Sequence, residues 1–323
     1  MASGSSGGPQ YHAPMRAVRM VRVGAPLRDE EIPERAPADG EARVQIRAAG
    51  ICHSDAHYRA GGGRVALPIT LGHEIAGITE RGERVAIHYL LADGSMIGKD
   101  ADGGYAESIV VPRESLIAIP AEVPFEQAAI MMCSTATAYH ALRLAPLRPR
   151  DSVAILGFGG LGVSTVQLAR FLGAGDIFAA DRVPEKLAIA EKLGAIPITG
   201  RMPPVDIALD FAGNPERCLA ALRALRPGGR LMLVAINLRS MQFDPYDDVL
   251  TRERRIIGCS DHTRGELFEL MEMARRGDID LSCAITRRIA LAADAINNVL
   301  DDLDRGTKHL RTVIEVNSMS SRA

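Results

Sequence analysis

Between residues 151 and 235, short apolar segments alternate with helical ones, and this alternation restricts the fold more than any other feature of the chain. The apolar segments lie at 152–156, 176–180, 206–210 and 230–235, and predicted helices such as 162–172 separate them. Strands that alternate with helices favour a parallel sheet covered by helices on both faces. This part of the chain therefore predicts an α/β domain with a doubly wound parallel sheet.

A glycine-rich turn, Gly157-Phe-Gly159-Gly160-Leu-Gly162, directly follows the first of these strands and opens the first helix. In such a strand–turn–helix unit the first glycine allows a tight turn, the second lets the backbone approach a pyrophosphate, and the last lets helix and strand pack closely. The N–H groups at the start of the helix can then bind phosphate oxygens. The turn predicts a dinucleotide site, although a glycine-rich turn without a ligand is the alternative.

The residues that end the next strand bear on which dinucleotide would bind. Asp181 lies 19 positions after Gly162 and is followed by Arg182. A carboxylate at this place accepts hydrogen bonds from both ribose hydroxyls and repels a 2′-phosphate. We therefore expect NAD in preference to NADP, with Arg182 keeping NADP open as the less favoured cofactor.

The first 120 residues have a different pattern, with short β-like runs at 43–47, 84–88 and 108–111 that glycine and proline interrupt. Strands at this spacing predict a partly barrel-shaped β domain. A helical pattern covers 124–144, and the end of the chain, with a last strand at 311–316, is expected to return to the β domain. The predicted domains are thus 15–135 with 262–318, and 136–261, preceded by a disordered lead-in at 1–14 and followed by a tail at 319–323.

Residues 49–74 contain the densest group of side chains able to bind a metal or transfer a proton. They include Cys52-His53-Ser54-Asp55-Ala-His57 and, further on, Gly72-His73-Glu74. Zinc takes thiolates and imidazoles as ligands, and acidic groups orient those ligands. Taken singly, Cys52 and His73 would more often be core residues. Together with a dinucleotide site, a Lewis-acid metal predicts hydride transfer to or from a carbonyl carbon.

Composition excludes several other classes of protein. A length of 323 residues corresponds to about two domains, and the net charge of −2 gives no electrostatic case for nucleic acid or an anionic membrane surface. No apolar run reaches the roughly 18 residues of a membrane-spanning helix. The five cysteines and the polar N-terminus, without the apolar core of a secretion signal, favour the reducing cytoplasm.

The chain resembles the zinc-dependent alcohol dehydrogenases of the medium-chain dehydrogenase/reductase superfamily over roughly residues 15–318. The matching segments, in order, are Gly50-Ile-Cys-His-Ser-Asp55, Gly72-His-Glu74, Gly103-Gly-Tyr-Ala-Glu107, the glycine-rich turn and Lys308-His-Leu-Arg-Thr312. The resemblance implies a GroES-like β domain joined to a Rossmann domain, one catalytic Zn²⁺, NAD and a small alcohol or carbonyl substrate. It also implies a homodimer or homotetramer.

The resemblance further implies a role for each residue near the metal. The implied ligands are Cys52, His73 and Cys133, the last because it precedes Thr137 by four positions just before the cofactor domain. Ser54 would take the proton of the bound alcohol and pass it through the cofactor ribose towards His57, for which a solvated surface histidine is the alternative. Asp55 would orient His73, and Glu74 would lie behind the metal as an occasional ligand.

Other residues are implied to contact the cofactor or the substrate. His53 and Arg311 would bind the pyrophosphate and Thr137 would lie near the nicotinamide, in addition to the glycines of the turn, Asp181 and Arg182. Candidates for the substrate pocket are Tyr58, Tyr89, Leu90 and Ile236, whose apolar character favours a hydrophobic alcohol.

The chain departs from the family between Arg84 and Tyr105, where many relatives hold a second zinc with four cysteines. This chain has no cysteine there, so we predict no structural zinc and a shortened loop. Two other stretches, 78–83 and 196–204, also look trimmed. The open alternatives are a polyol dehydrogenase with a carboxylate as third ligand, a zinc-independent quinone or enone reductase, and a non-catalytic dinucleotide-binding protein.

Overall fold

The computed structural model describes residues 11–237 and 239–316, without the side chains of residues 11–13. Most of the predicted lead-in, residues 1–10, and the predicted tail, 319–323, lie outside the described residues. Strand β1 (Tyr11–Met20) begins within the remainder of the predicted lead-in. It pairs antiparallel with β2 (Arg28–Arg35), and the register starts with Tyr11 opposite Arg35.

The chain divides into two compact units, which differ in part from the predicted domain boundaries. The first unit runs up to Met132 and takes in Arg287–Arg305 and the chain from Thr312 onwards. The second contains Cys133–Thr286 and Gly306–Arg311.

The first unit is built on antiparallel sheets. A three-stranded sheet has the order β2-β1-β4, where β4 is Ile69–Thr70. The larger, seven-stranded sheet contains β3 (Glu41–Ile51), β5 (Glu74–Thr79), β6 (Arg84–Ile87), β7 (Ser108–Pro112), β8 (Leu116–Ala118), β15 (Ile285–Ala290) and β16 (Arg311–Glu315). Three helices complete this unit, namely α1 (His53–Arg59), α2 (Phe125–Ile130) and α8 (Ala293–Arg305).

The second unit contains one six-stranded parallel sheet of order β11-β10-β9-β12-β13-β14. The strands are β9 (Val153–Leu156), β10 (Ile177–Ala180), β11 (Ile196–Pro197), β12 (Val205–Asp210), β13 (Leu225–Leu233) and β14 (Arg255–Gly258). Its helices are α3 (Ala136–Leu144), α4 (Gly160–Phe171), α5 (Pro184–Lys192), α6 (Pro215–Ala224) and α7 (Arg264–Arg276). From β9 the chain forms one half of the sheet outwards through β10 and β11, and it then forms the other half through β12, β13 and β14. The predicted doubly wound Rossmann sheet is therefore confirmed.

The burial of individual strands explains why the sequence pattern was informative. Along β3, Val44, Ile46 and Ala48 are fully buried while Gln45 is exposed, which is the two-residue period of a strand with one covered face. The whole of β9 is buried, as a central strand of a parallel sheet requires. Among the described residues, no helix has the length and hydropathy needed to cross a bilayer.

Helix α7 lies in the second unit, whereas the sequence prediction had placed residues 262–286 in the first domain. It packs against α3, where Nδ1 of His140 lies 2.9 Å from Oε1 of Glu266. The hydroxyl of Tyr139 also donates to Glu269 at 2.6 Å. These polar pairs join residues about 126–130 positions apart, a distance at which the local sequence pattern gives no information.

The first turn of α7 contains a capping interaction that can be tested. Thr263 caps the helix, and its N–H donates to Oε2 of Glu266 at 2.8 Å in a reciprocal capping box. We expect Thr263→Ala to lower the free energy of unfolding in urea by about 1 kcal/mol, because a helix N–H loses its partner. Thr263→Ser, which keeps the hydroxyl, should unfold within a few tenths of a kcal/mol of the wild type; equal losses in both variants would contradict the capping role.

Candidate metal and dinucleotide sites

Four side chains converge on one point of the structure. Cys52, His73, Glu74 and Cys133 each offer a ligand atom, and these atoms all lie within 4.8 Å of one another. Cys133 immediately follows the end of the first unit and lies in the π-helical turn Met131–Thr135, which continues α2. The three ligands implied by the sequence resemblance are therefore together, and Glu74 joins them.

Strand pairing accounts for the meeting of Cys52 and His73. β3 and β5 are antiparallel, with Gly50 opposite Glu74. Cys52 follows the end of β3 and His73 precedes the start of β5, so the two side chains emerge from the same end of the strand pair. Gly50 leaves room for the Glu74 carboxylate, which an added Cβ at that position would overlap.

The Asp55 carboxylate is held beside His73 by hydrogen bonds from two other residues. It is completely buried in the first turn of α1. Its Oδ2 accepts from the backbone N–H of Cys52 at 3.0 Å and from the hydroxyl of Tyr105 at 2.7 Å. Its Oδ1 faces Nδ1 of His73 at 3.5 Å. With Nδ1 facing Asp55, Nε2 of His73 is the nitrogen available to a metal; the orienting role of Asp55 stays a prediction.

The electrostatics of the cluster favour a positive charge among these groups. Burial lowers the pKa of His73, but the Asp55 carboxylate and Cys52 outweigh burial and raise that pKa well above its ordinary value. Glu74 and Asp55 are fully buried. A divalent cation can take the place of the proton on His73 and offset the surrounding acidic groups.

The donor set fits zinc in chemistry and in spacing. Two thiols and one imidazole are the soft and intermediate ligands that zinc prefers, and bonds of about 2.0–2.3 Å place the ligand atoms of a tetrahedral ion roughly 3.3–3.8 Å apart. Separations within 4.8 Å allow that geometry after small side-chain movements. The fourth ligand position could then be taken by Glu74 or left to water or substrate.

The residues expected to move a proton lie on α1. Ser54 is half-buried on the first turn. The imidazole of His57 stacks on that of His53, with ring centroids 4.8 Å apart, and Nε2 of His53 lies 3.5 Å from Asp304. Burial lowers the pKa of His57 and the neighbouring His53 lowers it further. His57 is therefore neutral near pH 7 and able to accept a proton, although its function remains a prediction.

The glycine-rich turn of the second unit has the conformation that its sequence predicts. Gly157 adopts a φ of +95°, and a Cβ there would lie 3.1 Å from the backbone nitrogen of Ala212. Asp181 ties the turn to the next strand, because its Oδ2 accepts from the N–H of Phe158 at 2.7 Å and its Oδ1 accepts from Val183 at 2.9 Å. α4 begins at Gly160, two residues earlier than predicted.

The predicted cofactor-binding residues of the second unit differ in where they lie relative to this turn. The side chain of Arg311 is buried and lies directly against Gly160, where an added Cβ would overlap it. Such a position suits a cation that contacts phosphate at the start of α4. Arg182 lies against Gly306 instead. Thr137 is buried in α3, and its carbonyl lies 4.0 Å from the sulfur of Cys259.

The pocket candidates differ in their surroundings. Tyr89 is buried and its ring meets that of His73 edge-on, with centroids 5.0 Å apart. Ile236 is 57% exposed in the second unit, and Tyr58 and Leu90 are half-buried. Tyr89 is thus the candidate that lies beside a proposed metal ligand.

Tyr105 is a residue of the site that the sequence reasoning did not single out. It is fully buried, and its ring lies so close to Gly72 that a Cβ on that glycine would be 2.5 Å from the ring. The available signal was its place in Gly103-Gly-Tyr-Ala-Glu107, a segment quoted for the resemblance without a role for the tyrosine.

Two known domain families match successive parts of the chain. The alcohol dehydrogenase GroES-like domain matches residues 38–121, and the zinc-binding dehydrogenase domain matches residues 160–276. The chain belongs to the zinc-type alcohol dehydrogenase family. Its activity is therefore oxidoreduction of alcohols and carbonyl compounds, in a family that uses zinc and NAD.

Characterised members of the family align along most of their length. An alcohol dehydrogenase of Geobacillus stearothermophilus is 29% identical, over 94% of this chain and 100% of the relative. An NAD-dependent alcohol dehydrogenase of Sulfurisphaera tokodaii is 28% identical, over 88% and 96% respectively. The structure of an alcohol dehydrogenase from Thermotoga maritima matches with a TM-score of 0.86 at 23% identity, over 95% of this chain and 100% of that chain. This last likeness supports the fold.

The contact between Gly72 and Tyr105 yields a test with a matched control. Gly72 has a φ of +92° and no room for a Cβ, whereas Gly24 has a φ of +74° and meets no described atom within 4 Å. We expect Gly24→Ala to cost about 1 kcal/mol of unfolding free energy from the backbone alone. Gly72→Ala should cost about 2–4 kcal/mol, because displacement of the ring adds to it. Urea unfolding would measure both, and equal losses would contradict the contact.

Proposed function

We propose that this protein is an NAD-dependent alcohol dehydrogenase with one catalytic zinc bound by Cys52, His73 and Cys133. The observation that carries the proposal is the convergence of these three side chains, with Glu74, within 4.8 Å. The ligands come from separate stretches of sequence, and a chance meeting of two thiols, an imidazole and a buried carboxylate is improbable without a metal to bind them. The substrate is a small primary or secondary alcohol, or the corresponding aldehyde or ketone.

A zinc at this site supplies a Lewis acid that lowers the pKa of an alcohol hydroxyl by several units. Ser54 accepts the hydroxyl proton, and His57 receives it further along the relay. The neutral state of His57 near pH 7 supports this order, because burial and His53 lower its pKa. Asp55 keeps His73 in the tautomer with Nε2 free for the metal.

The second unit supplies the cofactor site of the proposal. Phosphate binding at the start of α4 rests on Gly157, Gly159, Gly160 and Gly162, with Arg311 beside Gly160. Asp181 favours NAD over NADP because its charge repels a 2′-phosphate. Two relatives named as NAD-dependent alcohol dehydrogenases agree with that choice.

A polyol dehydrogenase is the second candidate, and Glu74 is the residue that favours it. A carboxylate can replace a thiolate as a zinc ligand, and Glu74 lies in the ligand cluster. Substrates with adjacent hydroxyl groups therefore belong in any activity assay.

The number of metal ions and the assembly are also part of the proposal. The segment between Arg84 and Tyr105 contains no cysteine, so we expect one zinc per chain. Strands β11 and β14 are the outer strands of the described parallel sheet, and such edges can pair across a two-fold axis. We expect a homodimer or homotetramer that works in the cytoplasm.

The metal content and the role of Cys133 can be measured together. We expect about one zinc per purified chain by elemental analysis, and alcohol-dependent formation of NADH on a panel of primary, secondary, aromatic and vicinal alcohols. Cys133→Ser should lose zinc affinity by at least about tenfold and lose most of its activity, because a thiolate ligand is removed. Cys283→Ser is the matched control, since Cys283 is exposed and outside the cluster.

A zinc content near zero in an active wild-type protein, with reduction of quinones or enones, would overturn the proposal in favour of the zinc-independent reductase. A high preference for vicinal diols would favour the polyol dehydrogenase. Equal zinc content in Cys133→Ser and Cys283→Ser would remove Cys133 from the ligand set.

Cofactor choice can be tested at Asp181. Asp181→Asn removes the charge and keeps one carbonyl oxygen, which can replace one of the two carboxylate oxygens that accept from the N–H groups of Phe158 and Val183. We expect the ratio of kcat/KM for NADP to that for NAD to rise by about tenfold or more, because repulsion of the 2′-phosphate is lost. Asp176→Asn, an exposed residue of the same unit, should leave the ratio unchanged. An unchanged ratio in Asp181→Asn would place cofactor selection elsewhere.

A further inference from the structure

Tyr105 has contacts with two segments that carry proposed zinc ligands. Its hydroxyl donates to Asp55 at 2.7 Å, three residues beyond Cys52 on the chain. Its ring lies against Gly72, which immediately precedes His73. The side chain is fully buried, so these contacts, and no role at the protein surface, explain its position.

We propose that Tyr105 is a positioning residue for the zinc site, and that its hydroxyl sets zinc affinity by fixing the Asp55 carboxylate against His73. The inference rests on the zinc site of the proposed function. It adds a residue that does not touch the metal and that acts through Asp55.

Two hydrogen bonds set the orientation of the Asp55 carboxylate. Oδ2 of Asp55 accepts two hydrogen bonds, from the N–H of Cys52 at 3.0 Å and from Tyr105. The two donors approach the same oxygen from different segments, and therefore restrict rotation of the carboxylate about its χ2 bond. Oδ1 is then directed to Nδ1 of His73, 3.5 Å away. Without the tyrosine hydroxyl, Oδ2 would keep one of its two donors and the carboxylate could turn more freely.

Tyr105 and its neighbour Gly104 also hold the segment that carries His73. The N–H of Tyr105 donates to the carbonyl of Leu71 at 3.0 Å, and the N–H of Gly104 donates to the carbonyl of Gly72 at 2.7 Å. Together with the ring against Gly72, these bonds hold the backbone immediately before His73. The phenol thus links the Cys52 segment to the His73 segment through one rigid side chain.

The hydroxyl group distinguishes tyrosine from phenylalanine at this position. A phenylalanine would fill the same space against Gly72 but would leave Oδ2 of Asp55 with one donor instead of two in a buried site, which is costly. Burial, and after it the Asp55 carboxylate, raise the pKa of Tyr105 well above its ordinary value. The hydroxyl therefore keeps its proton and remains a donor throughout the working range of pH.

The test compares zinc binding in Tyr105→Phe with the wild type. Each apoprotein is titrated with zinc against a chromophoric chelator, and the d–d absorption of Co²⁺-loaded protein reports the ligand geometry. We expect Tyr105→Phe to bind zinc about 10-fold more weakly, within the 10–100-fold range typical when a residue that orients a ligand is changed, and to alter the Co²⁺ spectrum. Zinc affinity and the spectrum are measured without turnover.

Tyr139→Phe is the matched control for the loss of a buried phenol. Tyr139 is 4% exposed, and its hydroxyl donates to the Glu269 carboxylate at 2.6 Å, outside the ligand cluster. It should lose a hydrogen bond from a phenol to a carboxylate, at a less buried position, and keep the zinc affinity of the wild type within about twofold. A similar loss of affinity in both variants would indicate general destabilisation and would overturn the role of Tyr105.

A double-mutant cycle with Asp55→Asn tests whether Tyr105 acts through Asp55. We expect Asp55→Asn to weaken zinc binding by itself, and Tyr105→Phe to have little further effect in that background, because residues that act as a unit are not additive. Additive losses would overturn the proposal. If Tyr105→Phe does not fold, Asp55→Asn with unchanged zinc affinity would also overturn it.

The outcomes separate this inference from the proposed function. A wild-type protein that binds no zinc would contradict the zinc site itself. A wild-type protein that binds one zinc, with Tyr105→Phe binding it equally well, would leave the zinc site standing and contradict the role of Tyr105.

Discussion

In the first unit, β3 and β5 pair antiparallel with Gly50 opposite Glu74, and the candidate metal site depends on this register. A shift by one residue would turn the side chains of β5 to the other face of the sheet and move His73 away from Cys52. Gly50 belongs to the same constraint, because only a residue without a side chain leaves space for the Glu74 carboxylate. The sheet therefore sets the positions of two ligands before any metal binds.

This placement concentrates ionisable groups in a buried region, which costs free energy unless their charges are compensated. Asp55 and Glu74 are both fully buried, and two thiols lie beside them. The zinc proposed for this site would compensate these groups and bind directly to the sulfurs and the imidazole. It would also link stability to function, because a metal that binds only the folded chain stabilises it by mass action.

The sequence predicted the parts of the structure that local patterns encode. The strand–helix alternation of the second unit and the turn at Gly157 depend on neighbouring residues, and both were predictable. Helix α1 was not, since its seven residues are too few to establish an apolar period. Strand β1 begins inside the predicted lead-in because its pairing with β2 outweighs a weak local preference. The assignment of α7 depended on contacts with α3 across more than 120 positions, which no local pattern records.

The loop that follows β6 connects these observations. Between Ile87 and Gly104 the chain is held by isolated bridges, Leu90 with Met96 and Ile97 with Ala101. Its end is fixed to the β4 region by the N–H of Gly103, which donates to the carbonyl of Thr70 at 2.8 Å. The residues that follow Gly103 place the ring of Tyr105 against Gly72.

Backbone hydrogen bonds thus determine where this short loop ends, and the end of the loop determines where the tyrosine hydroxyl meets Asp55. Tyr105 could not be recognised from sequence for this reason. Its hydroxyl contacts the carboxylate of Asp55, 50 positions earlier in the chain. Its ring contacts the backbone before His73. A change in the length of the loop would therefore reach the metal site through Tyr105, even though the loop contributes none of the proposed ligands.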